Sequence, residues 1–541
     1  WCKNHPDIVT GWNVKFFDIP YLMNRMRMIF DNDTINKMSP WNYVNAERIQ
    51  LGQKNQQYWN MLGISVLDYF DLYKKFTYVR QESYKLNYIA KVELGEEKLD
   101  NPYETFKDFY TKDYQRFVEY NIQDVELVDR LEDKMKLIEL CLTMAYDYKV
   151  NYTDVYSQVR CWDTLIYNHL KKKHIVIPPR EDQEKATQYE GAYVKDPDLG
   201  LHKWIVSFDL NSLYPHLIMQ YNISPETYYD VKTNGISVDN MLSQQVNLKF
   251  TKDKNITIAP NGAMFRRDKQ GFLPELMQKM YGDRVVYKKK MIEAKKEFEK
   301  TKDPIYKNEI ARCHNIQMAK KIALNSAYGA IGNQYFRYFD VKQAEAITLG
   351  GQLSIRWIER DVNKFMNKVL ETDNQNYVVA SDTDSIYISM GKLVEKVCKD
   401  KTPQQITDFL DKVSEQKLQK IIDGSFEHLA DYVNAFEQKM VMKREAIANK
   451  GIWVAKKRYM LNLFDEEGIR YEYPKLKVMG VEAVKSSTPE ICRTKIKEAI
   501  RVIMNESEDD LIKYVADFKE LFKTLSPEEV AFPRSCNNIM K

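Results

Sequence analysis

Two short apolar runs far apart in this sequence end on acids. Trp204-Ile-Val-Ser-Phe208 reads as a strand that delivers Asp209, while Tyr377-Val-Val-Ala380 and Ile386-Tyr-Ile388 flank a turn at Asp382-Thr-Asp384, a predicted hairpin. Between them, from about Pro274 to Asn333, the pattern is helical with a break near Lys302-Asp-Pro304, which predicts a two-helix antiparallel hairpin. One sheet is therefore interrupted by a helical excursion and then resumed. Phosphoryl transfer by two divalent ions needs several carboxylates fixed on rigid strand ends, and Mg²⁺ prefers such hard oxygen ligands. Asp-Thr-Asp alone does not decide the matter, since Asp-x-Asp also occurs in nucleotide-sugar transferases and in ordinary polar turns. An EF-hand is disfavoured because Ile386 takes the next ligand position and no loop glycine follows.

A chain of 541 residues exceeds a single hydrophobic core several-fold, so roughly three to five domains are expected. With 44% hydrophobic and 29% charged residues, the composition is that of a folded protein. The net charge of +4 is too small to mark a nucleic-acid surface, which must come from local clustering. Seven Cys are scattered singly, without Cys-x-x-Cys or a His cluster at zinc spacing, which fits a reducing compartment. No apolar run reaches a membrane span of about 20 residues, so cytoplasmic localisation and no membrane partner are expected. Because the sequence starts at Trp1 as though inside a domain and stops without a convincing domain end, it is expected to be a fragment.

Boundaries follow motif positions. Residues 1–136 mix β-rich pieces such as Ile64 to Tyr69 with helical ones such as Lys112 to Leu137, the pattern of an α/β domain. A helical stretch from Lys136 to Lys173 leads to Ile175-Val-Ile-Pro-Pro179, where two prolines start an extended connector. Charged helices with apolar residues at i, i+3 and i+4 occupy about Pro489 to Leu525. Within the helical hairpin, Lys321, Asn325 and Tyr328 fall at i, i+4 and i+7 on one face, and Arg284 and Lys288 at i, i+4 on the other helix. Three cations aimed at one anion would clamp a triphosphate. Lys289, Lys290, Lys295 and Lys296 read instead as solvated charge.

Asp209-Leu-Asn-Ser-Leu-Tyr-Pro215, Lys321-Ile-Ala-Leu-Asn-Ser-Ala-Tyr-Gly329 and Asp382-Thr-Asp-Ser385 follow one another in that order. They resemble the three core motifs of family B DNA polymerases, and within that family the chain is most similar to the replicative polymerases of T-even-type bacteriophages. The resemblance implies a multidomain α/β and α+β right-hand polymerase with an antiparallel-sheet palm, helical fingers and a partial helical thumb. A partial RNase-H-like 3′→5′ exonuclease domain would precede it. Its expected layout is exonuclease 1–136, helical connector and N-terminal-domain segment 137–180, palm 181–270 and 334–480, fingers 271–333 and partial thumb 481–541. It implies template-directed addition of dNTPs to a primer 3′ end in viral DNA replication, in an infected bacterial host if the source is a phage.

The resemblance also assigns roles. Asp209 and Asp384 would bridge two Mg²⁺ ions, for which Mn²⁺ can substitute, with Asp382, Glu445 and Leu210 supporting them. Leu210, Ser212 and Leu213 would hold triphosphate oxygens. Arg284, Lys288 and Lys321 would contact the phosphates, while Asn325, Tyr328 and Gly329 line the nascent base pair. Tyr214 would stack under the sugar and exclude a 2′-hydroxyl; a buried core tyrosine is the plainer reading. Tyr189-Glu-Gly-Ala192 resembles a connector that senses where the primer end lies. Lys456, Lys457, Arg458, Tyr459 and Lys477 resemble elements that grip primer–template DNA, a basic run with an aromatic suiting phosphate contacts. A solvated strand face is the alternative there.

Upstream, Gly11-Trp-Asn-Val-Lys-Phe-Phe-Asp18 and Tyr120-Asn-Ile-Gln-Asp124 resemble the second and third exonuclease motifs. Asp18 and Asp124 would be metal ligands and Tyr120 would orient the attacking water. The first exonuclease motif, an acidic pair, has no place before Asp18, so incomplete proofreading is expected. Ala380-Ser381 stands where the family usually has Tyr-Gly, and Lys443 where an acid is often found. Primer–template DNA and dNTPs are the implied partners; a sliding clamp and other replisome proteins would join through the full-length protein, whose clamp-binding tail is absent here. Two rivals remain, a metal-dependent nucleotide-sugar transferase and a catalytically inactive DNA-binding fragment.

Overall fold

The computed structural model describes residues 1–51, 54–77, 79–181 and 188–531. It divides into two compact units, one of residues 1–168 with 284–321 and the other of residues 169–283 with 322–541. Helices Phe272–Thr301 and Ile305–Ile331 both cross that division along the chain. They are the predicted helical hairpin, broken where Lys302 adopts a positive φ ahead of Asp303-Pro304.

In the first unit, β1 (Ile8–Val9) pairs in parallel with β4 (Ser65–Val66), and β2 (Val44–Leu51) with β3 (Lys54–Met61) forms an antiparallel ribbon. The extended run expected from Ile64 to Tyr69 is cut short. Asp68 accepts a hydrogen bond from the Phe70 amide and caps helix Tyr69–Phe76, so the chain turns helical where hydrophobicity alone reads as strand. The helical stretch expected from Lys136 to Lys173 is present, in three pieces: Leu137–Tyr148, a 3₁₀ turn Tyr152–Tyr156, and Gln158–Lys172. Lys149, at φ 59°, ends the first in a left-handed cap.

The second unit is built on six antiparallel strands in the order β13-β12-β11-β5-β10-β9. These are β5 (Gly200–Leu210), β9 (Val378–Asp382), β10 (Ser385–Ser389), β11 (Met442–Ala455), β12 (Arg458–Glu466) and β13 (Ile469–Met479). A smaller sheet of β6 (Tyr228–Val231), β7 (Ile256–Ile258) and β8 (Ala263–Arg266) stands apart from it. Along β5, Ile205 to Phe208 are buried without alternation, as expected of a strand covered on both faces. One cover is a cluster in which Ile205, Val379, Tyr387, Trp453, Tyr459 and Leu463 pack together.

A charged lock holds one edge of this sheet. Asp465 is fully buried on β12 and accepts from the guanidinium groups of Arg444 and Arg470 and from the Gly468 amide. The same arginines reach Asp411 at 2.9 and 2.7 Å. Removing Asp465, the wholly buried member, leaves the poorly exposed Arg444 without its buried partner. Asp465→Ala should therefore cost about 3–5 kcal/mol, read as a lowered urea midpoint for the transition that unfolds this sheet.

Candidate active site

The register of the central sheet brings three acidic segments to one end. Asp209 pairs with Ser385 on β10 and, across its other edge, with Lys443 on β11. The Leu210 amide donates to the Asp384 carbonyl at 2.8 Å and the Asn211 amide to that of Val441 at 3.0 Å, which fastens the end of β5 to both neighbours. The β9–β10 turn needs Thr383 at φ 55°, and the Thr383 hydroxyl donates to Asp382 Oδ1 at 3.1 Å. Glu445 stands at a bulge between Arg444 and Ala446, which re-aims the strand. Its two oxygens accept from the Ser207 hydroxyl at 3.1 Å and from Lys477 Nζ at 2.8 Å.

These acids perturb one another. Burial pushes the Asp209 carboxyl up to about 7, with the charges of Asp384 and Glu445 adding to the shift. Burial likewise pushes Asp384 up to about 6, and Asp382 and Glu445 raise it further. Asp382 is instead paired with Lys457 Nζ at 3.1 Å. Like charges in a partly desolvated site are what a divalent cation relieves, and all-carboxylate oxygen donors suit Mg²⁺. The donor set therefore fits the implied ion. Among the described residues, however, no three acidic, His or Cys side chains converge closely enough to hold a metal in this conformation.

Beside the acids, Ser212 takes φ 47° and caps helix Leu213–Tyr221, with Leu213 buried. The Tyr214 ring lies 4.7 Å from that of Tyr328, whose hydroxyl donates to Tyr189 at 3.1 Å. A Cβ at Gly332 would come within 2.5 Å of the Tyr189 hydroxyl. Asn325 and Gly329 are exposed on the same helix as Tyr328. Thr348 and Gln352 donate to the carbonyls of Glu190 and Gly191, so the segment resembling a connector is anchored on helix Val341–Leu370. Arg284, Lys288 and Lys321 belong to the other unit.

The expected DNA-gripping residues are all accounted for by partners. Lys456 pairs with Asp196 at 3.0 Å, Lys457 with Asp382, Arg458 with Glu482 at 2.5 Å and Lys477 with Glu445. Tyr459 is 7% exposed, shares a 2.8 Å hydrogen bond with Tyr387 and stacks on Trp453.

The sequence profile described as DNA polymerase family B matches residues 151–534. The chain belongs to DNA polymerase family B. The family's exonuclease-domain profile matches residues 1–89. Over the whole chain it is 36% identical to the DNA-directed DNA polymerase of Escherichia phage RB69 and 34% identical to that of Enterobacteria phage T4, spanning 65% of each. DNA polymerase 1 of Pyrococcus abyssi is 25% identical over 98% of the chain and 59% of the relative.

In this family B chain, Asp18 opens helix Asp18–Ile29 within the residues that the exonuclease-domain profile matches, and Tyr120 and Asp124 share helix Tyr114–Met135 beyond them. Burial raises the Asp18 carboxyl. Sequence reasoning missed Lys98, which pairs with Asp124 at 2.6 Å and lies 4.9 Å over the Tyr120 ring. No spacing rule joins it to that helix. Asp68 was also missed; buried, it accepts from the Asn13 and Lys15 amides at 2.8 and 3.0 Å and so holds the loop before Asp18. An Asp ahead of an amphipathic octet was its available signal.

A carboxyl whose folded pKa is raised stabilises the fold while protonated and loses that contribution as pH climbs through the folded value. With divalent ions chelated, the thermal midpoint of this unit should therefore fall as pH rises from about 4 to about 7. Mg²⁺ should restore it at neutral pH, and Asp209→Asn should flatten the pH dependence, all measured by thermal unfolding in EDTA or Mg²⁺.

Proposed function

We propose that this chain catalyses template-directed addition of dNTPs to a primer 3′ end. The single observation that carries the reading is the grouping of Asp209, Asp384 and Glu445 at one end of an antiparallel sheet in a family B chain. Divalent ions, once bound, would activate the primer hydroxyl and neutralise the triphosphate. Asp209 and Asp384 would hold them, with Asp382, Glu445 and the Leu210 carbonyl in support. Arg284, Lys288 and Lys321 would take up charge on the phosphates as pyrophosphate leaves. Leu210, Ser212 and Leu213 would cradle the triphosphate, and Asn325, Tyr328 and Gly329 would face the nascent pair.

The Tyr214 ring, backed by Tyr328, would block a ribose 2′-hydroxyl. In this reading residues 181–270 and 334–480 form a palm, 271–333 fingers, 481–541 part of a thumb, and 1–136 part of an exonuclease domain linked through 137–180. Asp18, Asp124 and Tyr120 would serve the exonuclease. Lys456, Lys457, Arg458, Tyr459 and Lys477 would contact primer–template DNA, the ion-paired ones after exchanging a carboxylate for a phosphate. No described helix is long and apolar enough to cross a membrane, which is compatible with work on DNA in a host cytoplasm.

The Asp382–Lys457 ion pair favours a second reading, in which the chain binds DNA without extending it. Single-nucleotide extension of a labelled primer–template with Mg²⁺ separates the two. Extension should fall about 100- to 1,000-fold in Asp384→Ala, the scale of loss when charge stabilisation is removed from a reaction centre, while DNA binding is kept. Binding without extension by the unmodified chain would establish the second reading. Tyr214→Ala should raise the use of rNTP relative to dNTP. Gly332→Ala, by displacing Tyr189 from Tyr328, should raise the dNTP KM about 5-fold, the worth of one hydrogen bond, and Tyr189→Phe should match it.

A further inference from the structure

Asp209 lies at the end of a strand and Leu213 begins a helix, and the residues between them are held in different ways. The Leu210 and Asn211 amides are engaged by the Asp384 and Val441 carbonyls, so the chain is fixed to the sheet up to that point. Ser212 then turns it at φ 47° and ψ 57°, a left-handed conformation that an L residue keeps only where its surroundings enforce it. His216 grips this turn from the helix side. The Ser212 carbonyl accepts from the His216 amide at 3.2 Å and from His216 Nδ1 at 2.9 Å.

The imidazole is 4% exposed, and Tyr281 meets it edge-on with ring centroids 4.6 Å apart. Burial holds His216 below its usual pKa, so the ring is neutral at pH 7 and carries one proton. A carbonyl oxygen only accepts, which places that proton on Nδ1. A trans peptide aims its C=O and N–H in opposite directions, and no cis bond occurs among the described residues. With the Ser212 carbonyl held toward the helix, the Leu213 amide is therefore aimed away from it, off the helix N-terminus. Such an amide has no carbonyl one turn back to bond. Pro215 brings no N–H and the His216 N–H is engaged by Ser212, so Leu213 and Tyr214 supply the donors of this first turn.

We propose that His216 is a positioning residue for triphosphate binding, whose Nδ1–H fixes the Ser212–Leu213 peptide so that the Leu213 amide donates to a phosphate oxygen. Leu210, Ser212 and Leu213 cradle the triphosphate in the polymerase reading, on which this assignment rests, and His216 is what holds that cradle in shape. An N–H already aimed at the anion needs no reorientation when the anion arrives. Without the side-chain donor, the Ser212 carbonyl is left with a backbone hydrogen bond at the long end of the usual range, and the peptide is freer to rotate. The effect falls on the nucleotide and spares the affinity for primer–template DNA.

The test is the dNTP dependence of single-nucleotide extension by the whole chain. His216→Leu, which fills the site but cannot donate, should raise the dNTP KM about 5-fold, the worth of one hydrogen bond. Its kcat and its KM for primer–template should stay within about 2-fold of the unmodified chain. His216→Asn, whose side-chain N–H can reach the same carbonyl, should bring the dNTP KM back to within about 2-fold. Stability should run the other way, since Leu suits a buried site better than the smaller, polar Asn; a purely structural role would make the thermal midpoint and the KM worsen together. Inorganic tripolyphosphate with Mg²⁺, followed by thermal unfolding without DNA, needs no extension. It should raise the midpoint of the unmodified chain and of His216→Asn more than that of His216→Leu. Failure of the unmodified chain to extend a primer would count against the polymerase reading, while the tripolyphosphate shifts still decide the role of His216. An unchanged dNTP KM in His216→Leu, an Asn variant no better than the Leu variant, or equal or absent tripolyphosphate shifts would overturn the proposal.

Discussion

Carboxylates gathered at one end of a sheet repel one another and resist leaving water, so something rigid must hold them together. Here it is the hydrogen-bonded end of β5, fastened to the Asp384 carbonyl on one side and to Val441 on the other. The unalternating burial of Ile205 to Phe208 fixes that strand between two covered faces, and the Arg444–Asp465–Arg470 lock ties β11, from which Glu445 reaches in, to β12 and β13. A strand gripped on all sides can carry an unfavourable charge arrangement at its tip because moving the tip would unpair the sheet. The raised Asp209 and Asp384 carboxyls are the electrostatic mark of that arrangement.

How far the sequence is legible follows from the range of the interactions concerned. The strand before Asp209, the Asp382–Asp384 hairpin and the helices either side of Asp303-Pro304 depend on local pattern and turn chemistry, and all are present. The segment after Ile64 diverges where Asp68, as a cap, overrides a hydrophobic pattern, and the helical stretch after Lys136 is divided where Lys149 takes a left-handed conformation. Lys98 on Asp124 and Lys457 on Asp382 are invisible to spacing because only the folded chain brings them together. The same holds for the expected basic grip, whose charge is real in sequence and already engaged in the fold.

Two kinds of lysine therefore coexist in one chain. Those near the acidic site are matched with carboxylates, so a polyanion binding there must exchange one partner for another and gains little net charge. Lys15 and Lys74 instead rest on aromatic faces, with Asp71 in range of both. Basic composition alone cannot separate these cases. What each cation touches does, and the net charge of +4 conceals both.

Gly332 owes its place to an atom it lacks, since the Tyr189 hydroxyl stands 2.5 Å from where its Cβ would be. Every amino acid reachable from a glycine codon by one nucleotide change carries that Cβ. Any such replacement obliges the end of the Tyr189 side chain to move, and with it the contact to Tyr328. The contact thus couples the two positions, so that a side chain gained at 332 is felt at 189 wherever this packing is kept.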